Sequence, residues 1–153
     1  MQVFAPPTRT TETCDFAGTK KLLSELTDKK LAEAALTKLA TLATDKSMEG
    51  MLVTALPAMI ECVGDKAKKV QTAAEEAIRQ IITNCSVWAG ALVLPMLMKG
   101  MQGKPAQKVL CLQMVTAVAK RCPKQVGQGI VELIPVVTGT TLFTALLRCY
   151  HIL

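Results

Sequence analysis

Two short markers recur along this chain at almost one spacing, and that recurrence constrains the fold more tightly than any composition value. Lys30-Leu31, Lys69-Val70 and Lys108-Val109 follow one another at 39 residues. Leu56-Pro57, Leu94-Pro95 and Ile134-Pro135 follow at 38 and then 40. Two independent markers keeping nearly one period describe a unit stacked on copies of itself. Within each unit, apolar residues return at steps of three and four, the period of a helix with one buried face. Ser47 to Ser86 reads as two such helices, antiparallel and joined by a tight basic loop.

The period lies in or beside the HEAT/armadillo range, so the expected fold is all-α: an α-solenoid of about three antiparallel helix pairs. Composition agrees. Half the chain is hydrophobic but only 3% is aromatic, which suits close helix packing better than a sandwich or barrel. Thr19 is expected to cap a short helix over KKLLSEL, and Asp28 a longer one over KKLAEAALTKLATLA, with Leu31, Ala35, Leu39 and Leu42 inward. Ser47 is expected to cap the next helix, which Gly64 stops. Asp65 then caps a partner running from Lys66 to about Thr83. Ser86 opens the third pair, in which Trp88 is expected to be a buried anchor. Pro105 suits the first position of the helix after it. Prolines 57, 95 and 135 stand inside first helices, where each costs about 3 kcal/mol and implies a built-in kink.

Three segments follow from this pattern: a disordered leader over residues 1–18, a repeat domain over 19–138, and a divergent tail over 139–153. The tail, TTLFTALLRCYHIL, lacks the basic loop that the period calls for. It is expected to mark a truncated or misjoined end of a longer protein rather than a short cap. The N-terminus has prolines and threonines where a signal peptide has an apolar run. The longest apolar stretch, Val87 to Met98, is too short to span a bilayer. A soluble, cytoplasmic chain without membrane contact is expected. The six cysteines contain no C-x-x-C pair, so they read as reduced, buried small hydrophobes. The only histidine, His151, would lack further ligands for a metal.

No phosphate loop, nucleophile elbow or zinc helix is present, and a histidine-based nucleophile system has no second member. The chain is therefore expected to be no enzyme, with no cofactor and no small-molecule substrate. The net charge of +6 suits an acidic partner. Lysines gather at the turn inside each repeat: Lys29 and Lys30, then Lys66, Lys68 and Lys69, then Lys104 and Lys108. Stacked in phase, those turns would form a ladder of ammonium groups roughly 10 Å apart, fit for phosphates. The competing explanation is that lysines favour exposed turns and the carbonyl end of the preceding helix. Lys120, Arg121 and Lys124 are expected to cap the carbonyls of their own helix.

The text GDKAKKVQTAAEEAIRQIITNCS, the pair ending AKRCPKQVGQGI, and above all VELIPVV resemble the N-terminal HEAT region of fungal-type translation elongation factor 3. DKKLAEAALTKLATLA resembles the preceding repeat of that region, so the likeness covers nearly all of the array. The resemblance implies a ribosome-facing scaffold whose HEAT region touches the small subunit, in a family that promotes release of deacylated tRNA. That family also carries two ATP-binding cassettes, which this chain lacks, and the likeness stops after Thr138. The expected function is a non-catalytic scaffold binding the small ribosomal subunit, its rRNA and proteins, with room for other proteins on a concave face. The alternatives are a protein-binding adaptor of the TOG type or the stress-kinase activator class, and an inactive fragment.

Overall fold

In the computed structural model, the described residues are 16–28, 30–124, 126–127 and 134. Six helices form there: α1 (Phe16–Glu25), α2 (Ala32–Leu42), α3 (Glu49–Val63), α4 (Lys68–Asn84), α5 (Val87–Gly100) and α6 (Pro105–Arg121). They pair as α1/α2, α3/α4 and α5/α6. First helices neighbour first helices and second helices neighbour second helices, giving a two-layered all-α solenoid with a continuous core between the layers. No strand occurs among the described residues.

Aspartates punctuate the helix starts. The carboxylates of Asp28, Asp45 and Asp65 accept the backbone N–H two residues on, from Lys30, Ser47 and Ala67, at 3.0, 2.9 and 2.8 Å. Each closes a small turn that aims the chain into its helix. Asp45 thus takes the role expected of Ser47, which lies in the 3₁₀ turn Lys46–Met48 ahead of α3. Ser86 does cap α5, accepting from Ala89. Pro105 opens α6, where the Gln107 side chain accepts the Lys104 N–H at 2.6 Å. An ammonium has no lone pair to return that bond, so only half of a capping box exists. The first helix begins at Phe16, three residues before the expected cap at Thr19. The expected leader and tail lie almost wholly outside the described residues.

Leu36, Leu39, Leu56, Met59, Ile78 and Leu97 are fully buried. Truncating one of them to alanine would cost about 2–5 kcal/mol. Burial also reveals the true structural step between repeats. Leu56 and Leu94 are both buried and Pro57 and Pro95 both exposed, so the Leu-Pro marker sits at equivalent places in α3 and α5. The Lys-Val marker does not. Val70 is buried whereas Leu31 and Val109 are 47% and 43% exposed. A step of 37 residues maps the buried face of α4 onto that of α6: Ala74 onto Cys111, Ile78 onto Val115, Ile81 onto Val118. A step of 42 maps α2 onto α4: Ala35 onto Ala77, Leu36 onto Ile78, Leu39 onto Ile81. Sliding two residues along a helix turns a side chain by about 200°, which moves the sequence marker from core to surface.

Polar bonds lock neighbouring repeats at the edge where second helices pass to first helices. The last carbonyls of a helix lack intrahelical partners, and α4 satisfies its own from both sides. Lys46 donates to the Asn84 carbonyl at 2.5 Å, and Arg121 donates to the carbonyls of Ile82, at 2.7 Å, and Thr83. Arg121 therefore caps the preceding second helix rather than its own, as the sequence had suggested for the Lys120 group. Glu49 accepts the Ser86 N–H at 2.7 Å. Hydrogen bonding from Ser86 holds the Glu49 carboxyl below the usual carboxylate range, against the opposing effect of partial burial, and Lys46 and Arg121 add to it.

Arg121→Met should lower stability by about 1–3 kcal/mol by stranding two carbonyls of α4, measured by thermal or urea unfolding. Because the Glu49 carboxyl is more acidic when folded, its contribution is present above its unfolded value and is lost as pH falls through the folded one. Glu49→Gln should accordingly flatten the acid limb of a stability–pH curve and leave the neutral plateau's slope unchanged. An acid limb as steep as that of the parent chain would refute the assignment.

Candidate functional site

The turns inside the repeats share one edge and touch. The Cys62 thiol near the end of α3 approaches the Leu26 carbonyl at 3.9 Å, tying the first turn to the second repeat. Lys104 donates to the Gly64 carbonyl at 2.5 Å, tying the second turn to the third. Behind it Gln107, the sole buried polar side chain among the described residues, donates to the Ile60 carbonyl at 2.8 Å. Gly64 has an ordinary φ of −86°, so it is not there to adopt a left-handed turn. A Cβ on it would lie 2.9 Å from Cδ of Lys104 and 3.1 Å from Nε2 of Gln107. Glycine is needed because the next repeat's turn comes that close.

The lysines expected at the edge fall into distinct roles. Lys30, Lys66, Lys68 and Lys69 are exposed, and their ammonium groups take no hydrogen-bond or ion-pair partner among the described residues. Lys68 and Lys69 stand in the first turn of α4, which has no acidic residue to offset the partial positive charge of the helix end. Lys104 is committed to Gly64, and Lys108 is half-buried. Lys29 lies outside the described residues. Sequence reasoning missed Gln107; its position three residues after the Lys104 cap, with proline between, was the available signal.

Two open grooves run between the second helices. The first, of about 440 Å³, separates α2 from α4 and has Ala40 and Ala73 on its floor, with Glu33, Lys68, Lys69 and Glu76 around it. The second, of about 350 Å³, separates α4 from α6 and is lined by Arg79, Pro105, Ala106, Val109 and Leu110 among others. These are one site in consecutive repeats. The 37-residue step carries Lys68 and Lys69 onto Pro105 and Ala106, Thr72 onto Val109, and Glu76 onto Gln113. The 42-residue step carries Glu33 and Thr37 onto Glu75 and Arg79. The lysine pair of the first groove is therefore replaced by Pro105 and Ala106 in the second, whose charged residues are Glu75 and Arg79.

Trp88 is 85% exposed, not the buried anchor that its apolar surroundings in the sequence suggest, and Leu92 on the same face of α5 is 61% exposed. The cause is helix phase. The inward face of α5 is Ala89, Gly90, Val93, Leu94 and Leu97, whereas Trp88, Leu92, Pro95 and Lys99 recur at steps of four and three on the outer face. A Cβ on Gly90 would lie 3.1 Å from Sγ of Cys122, so the inward face of that turn has room only for small residues.

The described cysteines are free thiols: Cys85, Cys111 and Cys122 are buried and Cys62 partly so. Burial pushes the Cys62 and Cys85 thiols up, and that of Cys111 to about 11. Such thiols are poor nucleophiles at neutral pH. Among the described residues no cluster of His, Cys, Asp and Glu could hold a metal ion, and no helix is long and apolar enough to cross a membrane.

Residues 9–141 match the family described as EF3 N-terminal HEAT repeat. Elongation factor 3 of Gonapodya prolifera is 32% identical over 108 residues, covering 67% of this chain and 10% of that protein. Elongation factor 3 of Zygosaccharomyces rouxii is 32% identical over 123 residues, covering 76% of this chain and 12% of its own. Protein ILITYHIA of Arabidopsis thaliana is 31% identical over 94 residues, 61% of this chain and 4% of that one. No solved structure matches. The chain thus spans 10–12% of the length of the elongation factors it matches, and the matched part is the helical array just described. It belongs to the elongation factor 3 N-terminal HEAT-repeat family.

Proposed function

We propose that this chain is a non-catalytic HEAT scaffold that serves translation elongation in the cytosol by binding the small ribosomal subunit through its turn edge. The observation that carries this reading is the set of four exposed ammonium groups, on Lys30, Lys66, Lys68 and Lys69, that have no partner among the described residues and stand along turns that touch one another. Neighbouring helix pairs lie roughly 10 Å apart, so such an edge meets a phosphate backbone at several points in one approach. Lys104 has a different part here: its bond to Gly64 keeps adjacent turns in line. Lys108, half-buried, extends the same edge. The names of the relatives support the setting in translation.

Phosphate contacts release counterions, so binding should weaken steeply with salt, each lysine–phosphate contact adding roughly one unit to the log–log slope. Co-sedimentation with purified small subunits tests this over a salt series. Lys66→Glu, Lys68→Glu and Lys69→Glu combined should abolish pelleting and remove the salt dependence while circular dichroism stays helical. Undiminished pelleting of that triple variant would end the turn-edge assignment. Pelleting with microtubules instead of ribosomal subunits would favour a tubulin-binding adaptor.

A further inference from the structure

The outer faces of the first helices differ from one repeat to the next, position by position. α3 and α5 lie side by side and run the same way, joined at their starts by the Glu49–Ser86 bond and at their ends by the Lys104–Gly64 bond. The 38-residue step between their Leu-Pro markers sets Trp88 level with Gly50 and Leu92 level with Thr54. Farther along, Pro95 is level with Pro57 and Lys99 with Glu61. All of these positions are exposed. A following repeat would not cover the outer face of α5, because α3 has a repeat on each side and its four equivalents stay open. The flank that a following repeat does cover is marked by Val53, buried in α3, whose equivalent Ala91 is exposed in α5. Trp88 and Leu92 therefore have no cover within a solenoid. Gly50 is the opposite case. Glycine inside a helix is destabilising relative to alanine, yet no described glycine has a positive φ, and a Cβ on Gly50 would meet nothing within 4 Å. Nothing in its own chain requires that open space.

We infer that two copies of this chain pair through the outer faces of α3 and α5, with Trp88 of each seated over Gly50 of the other. A two-fold axis running between α3 and α5, parallel to both, lays α5 of one copy along α3 of the second and sets every outer position against its equivalent. Size then matches at each level. The indole enters the space left at Gly50, and Leu92 lies on Thr54, whose hydroxyl is already donated to the Met51 carbonyl at 2.7 Å. Charge matches as well. Lys99 meets Glu61, and neither side chain has a hydrogen-bond or ion-pair partner among the described residues of its own copy. The contact is isologous, so each pair forms twice. An antiparallel pairing of α5 on α5 would match neither Trp88 with Gly50 nor Lys99 with Glu61. The two helices, 15 and 14 residues long, offer a face roughly 20 Å on a side, from their rise per residue and the distance between packed axes. That is the small end of specific interfaces, so a micromolar dimer is expected. The inference stands apart from the ribosomal reading, since none of these residues belongs to the lysines assigned there.

Sedimentation equilibrium of the whole protein, read beside the emission of Trp88, its only tryptophan, tests the pairing. A monomer–dimer equilibrium with a Kd of about 10–100 µM is expected, with the Trp88 emission moving to the blue as concentration rises through that value. Trp88→Ala should weaken dimerisation at least about tenfold. Gly50→Leu should weaken it as much by filling the space under the indole, and should keep the emission red at every concentration. Its thermal melt by circular dichroism should be no lower than the parent's, since a Cβ there meets nothing in its own chain and leucine is the better helix former. Lys99→Glu and Glu61→Lys should each weaken dimerisation about fivefold, and the two combined should restore it to within about twofold of the parent. The inference fails if the protein stays monomeric at about 300 µM, or if folded Gly50→Leu dimerises as the parent does. It also fails if the combined Lys99→Glu and Glu61→Lys variant is as weak as either single one. A blue shift of Trp88 on phosphatidylserine vesicles, in a chain that remains monomeric, would overturn it in favour of a lipid surface.

Discussion

Helix ends with carbonyls that have no partner in their own helix are the constraint on which this array depends. In a single helix pair those groups would turn to water. Here the end of α3 is satisfied by Gln107 and Lys104 from the following repeat, and the end of α4 by Lys46 on one side and Arg121 on the other. The bonds of Gln107, Lys104 and Arg121 join one repeat to the next, and Lys46 ties the entry of α3 to the end of α4, so polar satisfaction and repeat stacking are coupled. Apolar burial drives the layers together without specifying direction. The carbonyl bonds specify which turn lies beside which, and hence that the turns share an edge.

That division of labour sorts the cations. Lys46, Lys104 and Arg121 are committed to carbonyls, whereas Lys30, Lys66, Lys68 and Lys69 project without partners among the described residues. A surplus of positive charge is therefore not by itself a measure of binding capacity, because part of it holds the scaffold in phase. Close approach adds a second condition. Gly64, Gly90 and Gly100 sit where an added Cβ would meet side chains of neighbouring helices at 2.9, 3.1 and 2.5 Å. Gly64 lets the second and third turns approach, while Gly90 and Gly100 let α5 and α6 close on each other, Gly100 also meeting Ile60 of the preceding repeat.

Much of the helical framework was legible along the chain. Capping aspartates, Ser86, Pro105 and the three-and-four recurrence located five of the six helices to within a few residues, since these signals act within one or two turns. The repeat period was legible too, but only one marker kept its structural place. Leu-Pro is constrained twice, by a buried leucine and by a proline that must face outward, so its position cannot drift. Lys-Val is constrained by charge at a solvent-facing turn, where a residue gained or lost in the loop is tolerated, and its two later copies therefore occupy different helix faces. The lysines of the candidate site were found by clustering, but which of them are free was not, because a lysine bound to a carbonyl reads the same in sequence as one bound to water.

The amino-acid sequence alone determined that this protein is a stack of helix pairs, where most helices begin and stop, and which family it resembles, because these follow from local hydrogen bonding and from periodic burial. The tertiary structure alone decided which cations remain without a partner among the described residues, which way Trp88 points, and that Lys68 and Lys69 line one groove where Pro105 and Ala106 line the next. Those outcomes rest on contacts between residues about 40 positions apart, and their geometry exists only once neighbouring repeats have met.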